Sequence, residues 1–148
     1  MSSIRIITIG FTKKNAEQFF TTLQRSNVKR MLDVRLNNQG QLAGFSKRDD
    51  LAYFLKSILN IEYVHLSVLA PTQEMLDAYK KAKGSWMEYE KRFLDLMAHR
   101  EIERQLDPVL LDNGCLLCSE DKPHHCHRRL VAEYLKEKWK DVSIEHLT

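Results

Sequence analysis

Hydrophobic and polar positions along the chain follow two different periods. Short runs rich in β-branched residues, such as IRIITIG at 4–10, are typical of strands. Longer segments with apolar positions three and four residues apart, such as 13–27, are typical of helices. The runs of the first kind predict strands over 4–10, 29–35, 61–66, 115–119 and 142–147.

Helical segments separate these strand candidates. They span 13–27, 46–59, 71–84, 85–106 and 127–139, and Ser46 is the predicted N-cap of the second. Alternating strands and helices favour a parallel sheet that is covered on both faces. We therefore predict a single three-layer α/β domain over 1–148, with a mostly parallel sheet of about five strands and helices on both faces.

Ligands of such sheets bind at the carboxyl ends of the strands, where the loops emerge. Most of the predicted strand ends carry an ionisable group, which the interior of a strand would not favour. Because parallel strands bring these ends to a common edge, we expect one cleft there. The residues at the strand ends are, in chain order, Thr8 with Gly10, Asp33 with Arg35, His65, Cys118 with Glu120, and His146.

Charge and composition narrow the classes of protein. The net charge is only +3, and basic and acidic residues are interleaved, so a nucleic-acid partner is not favoured. The first residues do not resemble a signal peptide and no run is long enough for a membrane span, so we expect a cytoplasmic protein without a membrane partner. Three cysteines in a reducing compartment are core residues, metal ligands or reactive thiols rather than disulfides.

Several spaced motifs resemble one family. The motifs are TIG, DVR, IEYVHL and LLCSEDKPHHCHRRLVAEYL, and together they are similar to the domain of unknown function family 488. The resemblance covers essentially the whole chain and implies a compact α/β domain, but no settled activity. Members commonly have a histidine directly after TIG, where this chain has Phe11, so the resemblance carries no role of that imidazole over to this protein.

The segment 118–128 concentrates groups that bind metals. A structural zinc site needs four ligands, and CLLC resembles half of one. Cys115 and Cys118 are three residues apart in a predicted strand, however, so they point to opposite faces. Zinc is an alternative cofactor that we do not favour. Its ligands would be Cys118, Cys126 and one of His124, His125 or His127, with a carboxylate or His65 as the fourth.

A thiol site fits the pattern better. Cys126 and Arg128 lie at the start of the last predicted helix, where free backbone N–H groups and the helix dipole favour an anion. We expect Arg128 to contact an anion there, either Glu120 or a bound phosphate, and Arg35 to share the same ligand. The predicted catalytic residues are Cys118, Glu120, Cys126 and His65, and the predicted ligand-binding residues are Thr8, Gly10, Asp33, Arg35, His127 and Arg128.

These features predict an enzyme that acts on a small phosphorylated or nucleotide-like ligand, so its partner is a small anion. The alternative is a non-catalytic sensor that binds a ligand or a metal. The sequence does not indicate an oligomeric state. Away from this edge, we interpret Trp86 as a core residue and the segment 80–84 as a solvated helix end.

Overall fold

The structure is a computed structural model that describes residues 3–38, 44–120, 122–123 and 125–148. Five parallel strands form one sheet in the order β3-β2-β4-β1-β5, and helices cover both faces. This arrangement confirms the predicted three-layer α/β class. The strands are β1 (Ile4–Gly10), β2 (Arg30–Asp33), β3 (Glu62–His65), β4 (Gly114–Cys118) and β5 (Val142–His146).

Two hydrophobic cores lie on opposite faces of the sheet, with α1 and α2 on one face and α3 to α7 on the other. Among the described residues, none of these helices is both long and apolar enough to cross a membrane. The helices are α1 (Ala16–Arg25), α2 (Arg48–Phe54), α3 (Gln73–Lys80), α4 (Trp86–Arg100), α5 (Ile102–Gln105), α6 (Pro108–Leu111) and α7 (His127–Trp139).

The central strands are apolar on both sides because helices cover both sides. Every residue of β4 is buried, as are the last five of β1. Side chains alternate between the two cores: Ile7 and Cys115 pack toward α1 and α2, whereas Ile6 and Leu116 pack toward α4 and α7. Cys118 therefore emerges on the face opposite to that of Cys115.

Two helices differ from their predicted form. The prediction that Ser46 caps the second helix is wrong: α2 begins after Lys47, and the N–H of Arg48 donates to the backbone carbonyl of Asn38 instead (2.8 Å). Ser46 is itself buried, at the end of a 3₁₀ turn (Gly44–Ser46). The segment 85–106 is two helices rather than one, because Glu101 adopts the left-handed conformation (φ 51°) between α4 and α5.

The strand order creates a crevice between β1 and β4. These strands are neighbours, but the chain leaves β1 toward α1 on one face and leaves β4 toward α7 on the other. Ligands of open α/β sheets bind where the strand order reverses in this way, outside the carboxyl ends of the strands. A ligand site is therefore expected between the loops that follow β1 and β4.

Candidate functional site

A cavity of about 390 Å³ opens at this edge of the sheet. Its walls come from the loops after β1, β2 and β4, from α3, and from the first residues of α4 and α7. The volume suits a ligand of nucleotide size. Its charged, aromatic and thiol lining residues include Phe11, Arg35, Lys80, Trp86, Cys118 and His127.

Cys118 and His127 form a buried thiol–imidazole pair in the cavity. Cys118 is the last residue of β4, and its Sγ lies 3.5 Å from Nδ1 of His127 at the start of α7. The other ring nitrogen, Nε2, donates to the carbonyl oxygen of Val34 (2.7 Å). Because a carbonyl can only accept, the proton of the neutral ring is on Nε2, and Nδ1 is free to accept the thiol proton.

The two thiols of the site differ in acidity. A hydrogen bond from Cys126 lowers the pKa of Cys118 against the effect of burial, and the charge of Arg128 and the N–H groups of Ser119 and Glu120 act in the same direction. Burial and the hydrogen bond to Cys118 instead raise the pKa of Cys126. Cys118 is therefore the more reactive of the two thiols.

Three buried groups of the cavity have the right chemistry for a metal. The ligand atoms of Cys118, Cys126 and His127 all lie within 4.8 Å of one another. Among the other histidines that the sequence predicts for such a site, His65 is exposed and bonds to a backbone carbonyl, and His125 stacks on an aromatic ring. His124 lies outside the described residues.

Arg35 reaches the cavity from the loop after β2, held by a buried carboxylate. Its Nε and Nη2 donate to the two oxygens of Asp33 (2.9 Å each), and the hydroxyl of Tyr63 donates to the same carboxylate. His65 donates from Nε2 to the backbone carbonyl of Arg35 (2.9 Å). Asp33 and His65 thus hold Arg35 from behind and are not part of the cavity wall.

Phe11 supports the same guanidinium from the other side. The Cζ atom of Arg35 lies 5.4 Å from the centre of the Phe11 ring, within the range of a cation–π contact. Phe11 also lines the cavity. Phe11 is therefore an apolar part of the wall beside Arg35.

Arg128 lies behind the loop that follows β4. It is fully buried, its Nε donates to Oγ1 of Thr8 (3.2 Å), and its Nη1 donates to the backbone carbonyl of Glu120. The expected contact with the Glu120 carboxylate is absent from these bonds, because the loop turns its backbone toward Arg128. Gly10 packs against the Glu120 carbonyl and Arg128, with no space for a Cβ atom. The loop is therefore supported by Thr8, Gly10 and Arg128, which do not line the cavity.

Glu120 faces the opposite way, across the cavity. Its carboxylate lies 3.1 Å from Nζ of Lys80 near the end of α3, and both side chains are about half exposed. Lys81 makes a longer contact with Asp77 on the same helix (3.6 Å). The cavity therefore has a rim of mixed charge, with Arg35 deeper inside.

Stacked aromatic rings form one wall of the cavity. Trp86 stacks on Tyr89 (5.1 Å between centroids, 26° between planes), and His125 stacks on Trp86 (4.9 Å, 21°). The interpretation of Trp86 as a core residue was incomplete, because its half-buried ring also lines the cavity together with Lys80 and Lys81. The three-residue spacing of Trp86 and Tyr89 next to the basic segment 80–83 was the available signal.

Comparison with known proteins gives one result that bears on identity. No curated protein and no solved structure matches the chain. A family model described as "Domain of unknown function DUF488" matches residues 15–135 of the 148. The matched span runs from the cap of α1 into α7 and includes the thiol–imidazole pair. The resemblance of the sequence motifs is thereby confirmed, and the chain belongs to the DUF488 family.

Proposed function

We propose that the protein is an enzyme that binds a small phosphorylated or nucleotide-like molecule in the cavity and uses Cys118 as its nucleophile. The observation that carries this proposal is the contact of 3.5 Å between Sγ of Cys118 and Nδ1 of His127 in the wall of the cavity. A thiol next to an imidazole that can accept its proton, with the imidazole oriented by a third group, is the arrangement of an activated nucleophile. Here the third group is the carbonyl of Val34.

Two features support an anionic ligand. The thirteen-residue helix α7 begins at the cavity, so its positive end faces the same space as Cys118. Lys80 and Lys81 stand on the rim, and Lys80 can exchange the Glu120 carboxylate for a ligand phosphate at little cost, since exposed ion pairs are weak.

A planar group on the ligand is supported by the aromatic wall. The exposed His125 ring lies flat on Trp86, and an aromatic base can stack on the same wall in its place. Stacking of a base beside a cationic rim is the chemistry that binds a nucleotide-like molecule.

The predicted site residues fall into two roles in this proposal. Cys118 attacks the phosphorus of a phosphate ester, and His127 takes the thiol proton and gives it to the alkoxide that leaves when the P–O bond breaks. Water then hydrolyses the S–P bond and regenerates the thiol. Cys126 donates a hydrogen bond to Cys118, and Glu120 accepts hydrogen bonds from the ligand. The remaining residues hold the cavity wall in place and act as positioning groups: Thr8, Gly10, Asp33, His65 and Arg128. Arg35 is held by Asp33 and also lines the cavity, so it can contact the ligand.

A non-catalytic binding protein is the second candidate. The observation that favours it is the compact set of three metal-ligating atoms, which can bind without turning anything over. A protein of this kind would bind ligands in the cavity but would not convert any of them.

Binding and turnover can be tested separately. Thermal-shift measurements with inorganic phosphate, ribose 5-phosphate and the nucleoside monophosphates should show saturable stabilisation. We expect Lys80→Ala to reduce that stabilisation, because it removes a rim cation. In turnover assays with activated phosphate esters and nucleotides, Cys118→Ala should abolish conversion while the protein still binds the ligand.

Cys115→Ala is the matched control, because Cys115 is equally buried but lies in the other core. It should retain both binding and turnover. The proposal is wrong if none of these anions stabilises the wild-type protein, or if Cys118→Ala converts substrate as fast as Cys115→Ala does.

A further inference from the structure

We infer that Cys118, Cys126 and His127 form a binding site for a thiophilic divalent cation such as Zn²⁺, and that a bound cation prevents Cys118 from acting as a nucleophile. The first half of this inference stands on the geometry of the three side chains. The second half rests on the proposed function, because it describes how the same site would be switched off.

The donor set selects the class of cation. Two thiols and one imidazole are the ligands that zinc prefers, whereas magnesium and calcium prefer oxygen. All three side chains are buried, with 3% to 7% of their surface exposed, so few waters compete for the ligand atoms. Cys115, the third cysteine, is on the other face of the sheet and cannot join them.

The distances fit tetrahedral coordination. With zinc–sulfur and zinc–nitrogen bonds of about 2.3 and 2.0–2.1 Å, a sulfur and a nitrogen ligand lie ~3.5 Å apart and two sulfurs lie ~3.8 Å apart. The observed distance from Sγ of Cys118 to Nδ1 of His127 is 3.5 Å. All three ligand atoms are within 4.8 Å of one another. On binding a cation, the two sulfurs therefore approach each other by about 1.0 Å at most, and a sulfur and the nitrogen by about 1.3 Å at most.

His127 already has the tautomer that coordination through Nδ1 requires. Its Nε2 donates to the carbonyl oxygen of Val34 at 2.7 Å, which leaves Nδ1 unprotonated, and Sγ of Cys118 lies 3.5 Å from Nδ1 and 4.0 Å from Nε2. A histidine that ligates a metal almost always donates its other ring N–H to a carbonyl or carboxylate in this way. Val34 itself is buried and follows β2 directly, so this support is rigid.

A fourth position would face the cavity. In the described parts of the chain, the cluster has three members, and all three line the cavity wall. Three protein ligands with one open position are typical of zinc sites that exchange a water or a small molecule. A phosphate or carboxylate oxygen of a ligand in the cavity is suited to that position.

The consequence for thiol chemistry follows from the electron pairs. When Cys118 binds the cation, its thiol proton is released to solvent and a sulfur lone pair is shared with the metal. That sulfur is no longer a free nucleophile, and Nδ1 of His127 is occupied as well. The cation and the thiol reaction therefore compete for the same two atoms.

The metal site can be tested with the cation alone. We expect chelator-treated wild-type protein to take up one equivalent of Co²⁺ with the absorption bands of a thiolate–cobalt bond, and Zn²⁺ to displace it. Cys126→Ala should weaken the affinity for Co²⁺ at least about tenfold, and Cys126→Ser provides a second variant in case alanine impairs folding. Cys115→Ala should bind Co²⁺ like the wild type.

Alkylation separates the two halves of the inference. Mass spectrometry after treatment with iodoacetamide should show that Zn²⁺ slows modification of Cys118 at least about tenfold in the wild type and in Cys115→Ala, but not in Cys126→Ala. Absence of thiolate–cobalt bands in the wild type, or their loss in Cys115→Ala, would overturn the metal site.

The two proposals fail in different ways. If chelated protein converts substrate but binds no cation, the metal site is wrong and the proposed function stands. If the cation binds but chelated protein neither binds the anions nor turns them over, the proposed function is wrong and the metal site stands. Equal turnover with and without bound Zn²⁺ would overturn the competition at Cys118.

Discussion

At the scale of single residues, Gly10 shows how closely the loop after β4 is packed. It ends β1 beside Cys118 on β4, and a Cβ at this position would lie 1.5 Å from the carbonyl oxygen of Glu120 and 2.9 Å from Nη1 of Arg128. The nearest atom belongs to the backbone, so it cannot rotate away. Gly10 is therefore required for space rather than for an unusual backbone conformation.

Gly10→Ala should lower the free energy of unfolding by about 1–3 kcal/mol, because the added methyl group must displace the loop. Gly44→Ala is the control, since a Cβ at Gly44 has nothing within 4 Å. It should change the stability by no more than about 0.5 kcal/mol. Urea denaturation of both variants measures the difference, and equal midpoints and slopes for the two variants would contradict the packing argument.

The chemistry of single residues is only partly predictable from the sequence. The opposite faces of Cys115 and Cys118 follow from strand alternation alone, and the two cores confirm them. The hydrogen-bond partners of Arg128 do not follow from strand alternation. Thr8 is 120 residues away in the sequence and contacts Arg128 only because of the strand order. The carboxylate of Asp33 was likewise placed correctly at a strand end, but its bond from Tyr63 needed the pairing of β2 with β3.

At the scale of elements, side-chain caps position the helices on each face of the sheet. Asn15 accepts from the N–H of Gln18 at the start of α1, within a capping box. Ser85 accepts from the N–H of Glu88 at the start of α4, directly before the Trp86 ring of the cavity wall. The two caps are chemically similar, but only the second is next to the site.

Asn15→Ala and Ser85→Ala should each lower the free energy of unfolding by about 1 kcal/mol, because each leaves a helix N–H without its cap. Only Ser85→Ala should also weaken binding of nucleoside monophosphates, since fraying of α4 moves Trp86. Thermal shift without and with ligand distinguishes the two effects. An equal loss of ligand stabilisation in both variants would show that general stability, and not the α4 cap, controls binding.

Prediction of whole elements succeeded where the local pattern is strong. The start and end of α7 agree with the predicted 127–139, because its apolar stripe and its flanking residues act together. The second helix was harder, since α2 passes into a π-helical segment (Leu55–Leu59) that ends at Asn60 in the left-handed conformation. A sequence pattern that is analysed with 3.6 residues per turn does not reveal a π-helical turn, which is wider.

At the scale of the whole molecule, the sheet order decides which strand ends meet. Alternating strands and helices predict a parallel sheet, but not that β4 lies between β2 and β1 or that β5 lies beside β1. The order places Thr8 next to His146 in the sheet. Both the crevice at β1 and β4 and the hydrogen bonds behind it arise from these long-range pairings, which no local period encodes.

The order also links His146 to the support of the site. Oγ1 of Thr8 accepts from Nε of Arg128 and lies within hydrogen-bond distance, 2.6 Å, of Nδ1 of His146. The pKa of His146 is lowered chiefly by burial, and also by the charges of Arg128 and Arg129. The charge of Glu133 raises it.

The stability of the protein should therefore depend on the protonation of His146. Its pKa in the folded protein lies below the ordinary value of 6.5, so below that pH the unfolded chain binds the proton more readily than the folded one. The contribution of this group is fully present above pH 6.5 and is lost as the pH falls below 6.5 toward the folded pKa. His146→Gln keeps a side chain that can hydrogen-bond to Thr8 but cannot titrate in this range. We expect the stability of the wild type to fall relative to His146→Gln between about pH 8 and pH 5, as measured by urea denaturation.

His99→Gln, which removes an exposed imidazole from α4, controls for the loss of a histidine. If both variants follow the same curve as the wild type, protonation of His146 is not coupled to folding.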